Sequence, residues 1–364
     1  TEYCGFSFIE AGKTMGLFPY GKKTDIKLFR EDGMWPLSDR QMIVPTYPNG
    51  AHVNYNLFKD LETHNDDDVS KLENRRNMAY AVQTQSQDQV VKLIKRAVEM
   101  SGKNKVVISG GYGLNCVANY EYLDQLKDDN IEIYVEPVSN DAGTAMGAAM
   151  LMHRRLTKDN KVQEQQDTLY EGPAYCYSLN EIDAIVEKYG ATIEDADNSK
   201  VVDILADRKI CTIFQGRSEN GPRALGNRSI LAQATNKSIN ESLNKQLKRT
   251  EFMPFAPVTL YENAIDCYKI PMGKDPLYTS KFMTITLDCT EEMKKQCPAV
   301  VHIDGTARPQ LITEDNNPFY YHILNAYYKT SGIPSLVNTS FNMHEEPIFY
   351  SPRDAIRAFL LGIR

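Results

Sequence analysis

Over residues 74–101 apolar and polar positions recur with a helical period, and Val90, Val91, Leu93, Ile94, Ala97 and Val98 keep one apolar face at i, i+3, i+4 spacing before Gly102 ends the pattern. A short apolar run follows, Val106-Val107-Ile108, and leads into Ser109-Gly110-Gly111-Tyr112-Gly113-Leu114-Asn115. Helix, buried strand, glycine-rich turn and a further helical stretch make an α/β unit with a ligand-binding turn at the carboxyl end of a strand. A second unit is predicted from the strand pattern over 131–135, then Pro137 and SNDAGTAMGAAM. There Asp141 sits at the strand-to-helix corner, and Gly143, Ala145, Gly147 and Ala148 permit close packing of helix on strand. Beyond a polar stretch without apolar periodicity, Ser178 or Asn180 caps a helix reaching Tyr189, with Ile182, Ile185 and Val186 inward. A helix over about 199–207, a strand over 210–214, a Tyr- and Phe-rich helix over about 318–329 and a strand over 333–337 complete the pattern. Ser351-Pro352 opens the last helix, with a cap residue and proline at the first position.

A length of 364 residues is enough for two domains, and 42% hydrophobic with 24% charged residues is ordinary for a globular chain. The expected division is 1–156, a linker at 157–172 and a second domain at 173–364. The formal net charge of −7 argues against nucleic acid or an anionic membrane surface as the main partner. Seven cysteines, scattered and without a CxxC pair, suit a reducing compartment and no zinc site. With no signal peptide and no apolar run long enough to span a bilayer, the expected location is cytoplasmic. Both ends look cut, because residues 1–9 begin inside a strand-like run and AIRAFLLGIR stops within a helix.

The densest candidate chemistry lies in GRSENGPRALGNRSI, from Gly216 to Ile230, where Arg217, Arg223 and Arg228 fall within twelve residues punctuated by Gly216, Gly221, Pro222 and Gly226. Guanidinium forks bind phosphate or carboxylate oxygens bidentately, and glycines let backbone N–H groups approach the same oxygens, so the stretch reads as an anion cradle. A solvated basic loop with arginines paired to Glu219 is the plainer alternative. Lys245, Lys248 and Arg249 precede PFAP, whose prolines turn the chain from helix to extended backbone. DGTARPQ offers Thr306, Arg308 and Gln310 as further donors, and NTSFN packs small hydrogen-bonding groups from Asn338 to Asn342 at a strand end. Asp141 suits a metal, a ribose hydroxyl or a plain helix N-cap. EAGKTMGLFPYG, containing Lys13, reads as a loop with a short helix, and Asp66–Asp68 as a solvated turn or helix start.

These motifs, in this order, resemble the O-carbamoyltransferases of the nodulation and antibiotic-tailoring type, which carbamoylate a hydroxyl of a sugar, nucleoside or natural product. GKTMGLFPYG, SGGYGLNCVANY, SNDAGTAMGAA, GRSENGPRALGNRS, LKRTEFMPFAP, DGTARPQ and NTSFNMHEEPI carry the resemblance, which spans most of the chain. It implies an α/β protein: part of an actin-like ATPase (ASKHA) domain, similar to the tRNA threonylcarbamoyl-transferase catalytic subunit, followed by a YrdC-like α/β domain (α+β in character), similar to the enzyme that makes threonylcarbamoyl-adenylate. Carbamoyl phosphate and ATP would meet in the second domain, with Arg217, Arg223, Arg228, Arg249, Arg308, Ser340 and Asn342 as catalytic residues. Lys13, Gly110, Gly111, Asn115, Asp141, Gly143, Lys248 and Thr306 would bind the nucleotide, and Asp141 would ligate a divalent metal (iron, manganese or magnesium). The family's HxxxH pair has no counterpart among the six histidines, so either a preceding segment supplies it or the first-domain site is incomplete. Glu345 stands where the family has glycine and Met253 where it has arginine, at the edge of the expected pocket. The alternatives are a threonylcarbamoyl-type transferase acting on tRNA, disfavoured by the acidic charge, and a non-catalytic nucleotide-binding relative. A homodimer is a plausible assembly.

Overall fold

The helix expected over 74–101 forms as Asp68–Ser101, the strand at Val106 as Lys105–Ile108, and the glycine turn closes in a 3₁₀ turn at Gly111–Leu114. In this computed structural model residues 1–7, 9–29, 43–46, 50–53, 68–159, 161, 166–175, 178–249, 252–271, 275–343 and 346–360 are described. Glu345, Asp66 and Asp67 lie outside them. The chain forms two compact units, Thr1–Val106 with Val117–Ile133, and Val107–Cys116 with Tyr134–Arg364. Residues 107–116 and 134–156, read from the sequence with the first half, thus cluster with the second.

In the first unit, β1 (Ile43–Thr46) and β2 (Gly50–Val53) make an antiparallel hairpin. The helices Ala11–Leu17 and Asp68–Ser101 bring Leu17, Met78, Ala79 and Ala81 together with Cys4 and Leu28 in one apolar cluster. Gln85 ties the extended backbone at 26–28 to the long helix, donating to Ile26 O and accepting from Leu28 N. A side chain at Gly21 would sit 2.1 Å from Arg76 O, so only glycine allows that approach.

The second unit receives the C-terminal ends of β3 (Lys105–Ile108) and β4 (Glu132–Val135), joined by Glu136 N–H to Ile108 O. Its remaining strands are β5 (Cys211–Phe214), β6 (Arg228–Gln233), β7 (Ala256–Leu260), β8 (Tyr268–Lys269), β9 (Leu287–Cys289), β10 (Thr306–Ala307), β11 (Gln310–Ile312) and β12 (Ser335–Ser340). Five make a mixed sheet in the order β11-β7-β12-β6-β5, parallel only between β11 and β7; the others form the small antiparallel sheet β10-β9-β8. The helices Asn198–Ala206 and Pro318–Ser331 bury Val202, Leu205, Ile323, Leu324 and Tyr327 against Ile213, Leu231, Val258 and Leu336 of that sheet. β12 extends past the expected strand end, because Asn338, Thr339 and Ser340 pair with Leu231, Ile230 and Ser229 of β6. This register sets NTSFN beside the end of the arginine loop. Among the described residues no helix is long and apolar enough to cross a membrane, and the six described cysteines are free thiols.

Candidate functional site

The loop between β5 and β6 is closed by one carboxylate. Glu219 Oε1 accepts from the backbone N–H groups of Leu225 (2.7 Å), Asn227 (2.9 Å) and Arg228 (3.2 Å). Successive N–H groups converging on one oxygen form an anion nest, and here the chain's own carboxylate fills it. The expectation that these N–H groups meet a ligand is therefore corrected: Glu219 has them, and it pairs with no arginine in the loop. Gly226 makes the turn with φ +116°, and an added Cβ would lie 2.1 Å from the ring of the fully buried Tyr320.

Two of the loop's arginines also serve the loop. Arg228 is fully buried, donates to the carbonyls of Gln215, Asn227 and Gly216, and lies 3.7 Å from the centre of the Phe214 ring. Three carbonyl dipoles and an aromatic face stabilise its cation, and they hold it away from solvent. Arg217 is exposed and donates to Glu171 O and Gly172 O at 2.8 Å. It thereby fastens the end of the stretch expected as a linker, where Leu169 is buried beside Val138 and Leu225 and accepts from Asn220 N. Tyr170 donates its hydroxyl to Leu225 O at 2.6 Å, and burial pushes that hydroxyl's pKa up, keeping it a donor. Buried amides finish the frame: Asn317 donates to Asn227 and Tyr170, Gln310 donates to Leu225 O, and Asn338 donates to Ala224 O and Gln310.

Arg223 and Arg308 are arranged differently. Both are half-buried, and among the described residues neither has a carboxylate partner. Arg308, with burial adding to it, pushes the Arg223 guanidinium down to about 9, and Arg223 Nε is buried without a hydrogen-bond partner. Two like charges held together are costly unless an anion joins them. Close by in sequence, Ser218, Glu219, Gly221 and Pro222 line an open cleft of about 510 Å³ whose other lining includes Ser340 and Asn342. Arg249, from the LKRTEF segment, donates to Thr339 Oγ1 (3.0 Å), Ser340 Oγ (3.1 Å) and Asn342 Oδ1 (2.8 Å). Two motifs far apart in sequence thus line one cleft, and Arg249 is bonded to two of its lining residues, Ser340 and Asn342. The amide of Asn342 donates in turn to Met343 O and Glu346 O, which fixes its orientation.

The other candidate residues stand as follows. Gly110, at φ +93°, and Gly111 are exposed with open space at their Cα atoms, and Asn115 is half-buried. The turn packs on the second α/β corner, since a Cβ at Gly113 would lie 2.9 Å from Ser139. Gly143 approaches Val138 O so closely that a Cβ would lie 2.1 Å from it. Asp141 occupies the N-cap position of Ala142–Thr157, exposed and without a capping hydrogen bond from its side chain. Among the described residues no three His, Cys, Asp or Glu side chains are grouped to hold a metal ion, so the described residues around Asp141 do not fit one. Lys248 is exposed in left-handed backbone. Thr306 gives both its hydroxyl and its N–H to Asp304 Oδ1. Lys13 is ion-paired with Glu10 at 2.6 Å in the first unit.

The sequence reading overlooked Glu219 as a latch and Tyr170, Asn227 and Asn317 as frame. Their signal was faint: a carboxylate six to nine residues ahead of a glycine-punctuated turn, and asparagines whose burial no local pattern reveals.

Comparison with known proteins bears on the whole chain. The model described as Carbamoyltransferase N-terminus matches residues 1–150, and that described as Carbamoyltransferase C-terminus matches 202–362. Nodulation protein NolNO of Sinorhizobium fredii is 31% identical over 99% of this chain and 52% of its own length. Nodulation protein NolO of Bradyrhizobium diazoefficiens is 31% identical over 99% of this chain and 64% of its own. The uncharacterized protein MJ1051 of Methanocaldococcus jannaschii is 32% identical over 99% and 67%. The chain thus spans between about half and two thirds of the length of these relatives. Among solved structures, full-length HypF in its phosphate- and nucleotide-bound form aligns over 45% of this chain and 23% of its own, at 18% identity and a TM-score of 0.34. With both halves matched and relatives aligned over 99% of its residues, the chain belongs to the carbamoyltransferase family.

Proposed function

We propose that the cleft binds carbamoyl phosphate and ATP as substrates, activates the carbamoyl group as carbamoyl-adenylate, and supplies it to a hydroxyl of a sugar, nucleoside or natural product. The observation that carries this reading is Arg223, next in the chain to the cleft-lining Gly221 and Pro222: its Nε is buried without a hydrogen-bond partner, and the charge of Arg308 acts on a guanidinium that has no carboxylate partner among the described residues. A phosphoryl group placed there converts mutual repulsion into two charge-assisted contacts. Positive charge held in advance where phosphoryl oxygens gain negative charge lowers the barrier without reorganisation at the moment of reaction. Arg249, already oriented by Ser340 and Asn342, adds a third cation beside the cleft. In the balanced reaction water releases phosphate from carbamoyl phosphate to leave carbamate, and a carbamate oxygen attacks the α-phosphorus of ATP and displaces pyrophosphate. The acceptor hydroxyl oxygen then attacks the carbamoyl carbon, loses its proton, and AMP departs.

The reading keeps a first, actin-like part at 1–156 and a second, YrdC-like part at 173–364; that separate N- and C-terminal family models match 1–150 and 202–362 accords with a chain of two parts. The exposed turn at Gly110 and Gly111 suits a nucleotide approaching the backbone. The reading is tested by ATP–pyrophosphate exchange with and without carbamoyl phosphate. Exchange that depends on carbamoyl phosphate and is lost in Arg223→Ala is the expected result. Nucleotide binding without any exchange overturns the carbamoyl-adenylate reading.

A further inference from the structure

Most polar groups around the cleft satisfy one another. Arg249, Thr339, Ser340 and Asn342 share hydrogen bonds, and both amide N–H donors of Asn342 go to backbone carbonyls. Glu219 is an exception. It lines the cleft, its Oε1 takes three backbone N–H groups, and its Oε2 is buried with no hydrogen-bond partner. Asn338 Oδ1 is also buried and unpartnered, but Asn338 does not line the cleft. A buried carboxylate oxygen left without a donor is costly, typically by more than a neutral acceptor would be. It also repels the phosphoryl group that the neighbouring arginines attract. Both costs vanish if the ligand presents an N–H at that point.

We infer that Glu219 Oε2 is the specificity-determining acceptor that recognises the amino group of the carbamoyl moiety, setting carbamoyl phosphate apart from acyl phosphates of the same shape. The inference rests on the reading of the cleft as a carbamoyl phosphate site. Of the functional groups in that molecule, only the NH₂ can donate, and a carboxylate can only accept. An acetyl group is nearly isosteric but offers a methyl in the same place, leaving the buried oxygen unpaired. Sites built around a hydrogen bond reject an analogue that lacks the partner far more strongly than apolar pockets reject a change of size. The fixed Oε1 gives the recognition its precision, because three backbone bonds leave the carboxylate little freedom to turn.

The test measures binding of carbamoyl phosphate, acetyl phosphate and inorganic pyrophosphate by calorimetry to the full chain and to Glu219→Gln. The glutamine can keep its oxygen on the three backbone N–H groups while placing an NH₂ donor where Oε2 was. We expect the wild-type chain to prefer carbamoyl over acetyl phosphate by at least about tenfold, Glu219→Gln to reduce that ratio to near one, and pyrophosphate, which has no N–H to lose, to bind the variant at least as tightly as the wild type. A wild-type ratio near one, or a ratio unchanged in Glu219→Gln, overturns the inference and leaves the carbamoyl phosphate site standing. Binding of pyrophosphate with neither acyl phosphate bound by the wild type overturns the site reading itself, and the inference with it. If Glu219→Gln shows no cooperative thermal transition, Glu219→Asp decides: the shorter carboxylate withdraws Oε2 by one methylene, so an undiminished ratio overturns the inference and a diminished one supports it.

Discussion

Replacing Arg308 with glutamine is expected to make the free protein more stable while weakening its hold on phosphate. The neighbouring Arg308 and burial push the Arg223 guanidinium from the ordinary arginine range to about 9. One pH unit of such displacement corresponds to about 1.4 kcal/mol, so the whole displacement bounds the penalty at roughly 5 kcal/mol. Burial accounts for part of this, and solvent at the half-buried guanidinium screens the rest. Removal of the Arg308 charge is therefore expected to return about 1–3 kcal/mol. The sign follows from the direction of displacement: a base with a lowered pKa carries its full penalty below about 9. The penalty fades as pH rises past that value, because the folded chain then gives up the proton before the unfolded chain does. Urea denaturation at pH 7.5 in phosphate-free buffer should show a higher midpoint for Arg308→Gln at an unchanged slope. Added pyrophosphate should raise the wild-type midpoint by mass action and the variant's much less. Equal or lower stability of Arg308→Gln without anion, or equal stabilisation of both proteins by pyrophosphate, would refute the reasoning.

Gly226→Ala should destabilise by about 2–5 kcal/mol, since the Cβ meets the buried Tyr320 ring at 2.1 Å in positive-φ backbone; a thermal midpoint within a degree of wild type would contradict this. Arg249→Lys should lower carbamoyl-phosphate-dependent exchange by about tenfold or more with little change in thermal stability, because an ammonium cannot span Thr339, Ser340 and Asn342 together. Ser178→Ala removes the hydroxyl that accepts from Glu181 N–H, one half of the capping box on Leu179–Lys188, and should cost that helix about 1 kcal/mol, read as faster amide exchange over its first turn. Burial would raise Asp304, yet hydrogen bonds from His302 and Thr306 outweigh it and set the carboxyl below the ordinary aspartate value. Its stabilising contribution is present above the unfolded value and lost as pH falls through the lower folded one. Asp304→Asn should therefore flatten the acid limb of the stability profile, as followed by urea midpoints between pH 5 and 3.

Much of the local structure was legible because its causes are local. The helix at Pro318–Ser331 has proline at its first turn and glycine in left-handed backbone at its end, and Leu179–Lys188 has a serine cap with glutamate three residues on. The arginine-rich loop was visible as a place where chemistry concentrates, from glycine spacing and guanidinium density alone. What each arginine does there was not visible. Arg228 and Arg223 are five residues apart in the same motif, yet one is fully buried among carbonyls and the other is half-buried under the charge of Arg308. That difference arises from β6, which carries Arg228 into the sheet, and from Arg308 of the distant DGTARPQ segment, whose charge acts on Arg223.

By itself the sequence determined the α/β alternation, the order of the polar motifs and membership of the carbamoyltransferase family, since period, turn residues and motif spelling are properties of neighbours along the chain. Only the tertiary structure decided which donors remain for a ligand. Among the described residues around the arginine loop, the nest of N–H groups is taken by Glu219 and the amide N–H groups of Asn317 and Asn338 by other side chains and backbone, whereas Arg223 Nε, Glu219 Oε2 and Asn338 Oδ1 are buried without a partner. Hydrogen-bond satisfaction is settled by distances of a few ångströms between residues tens to more than a hundred positions apart, and no local pattern encodes it.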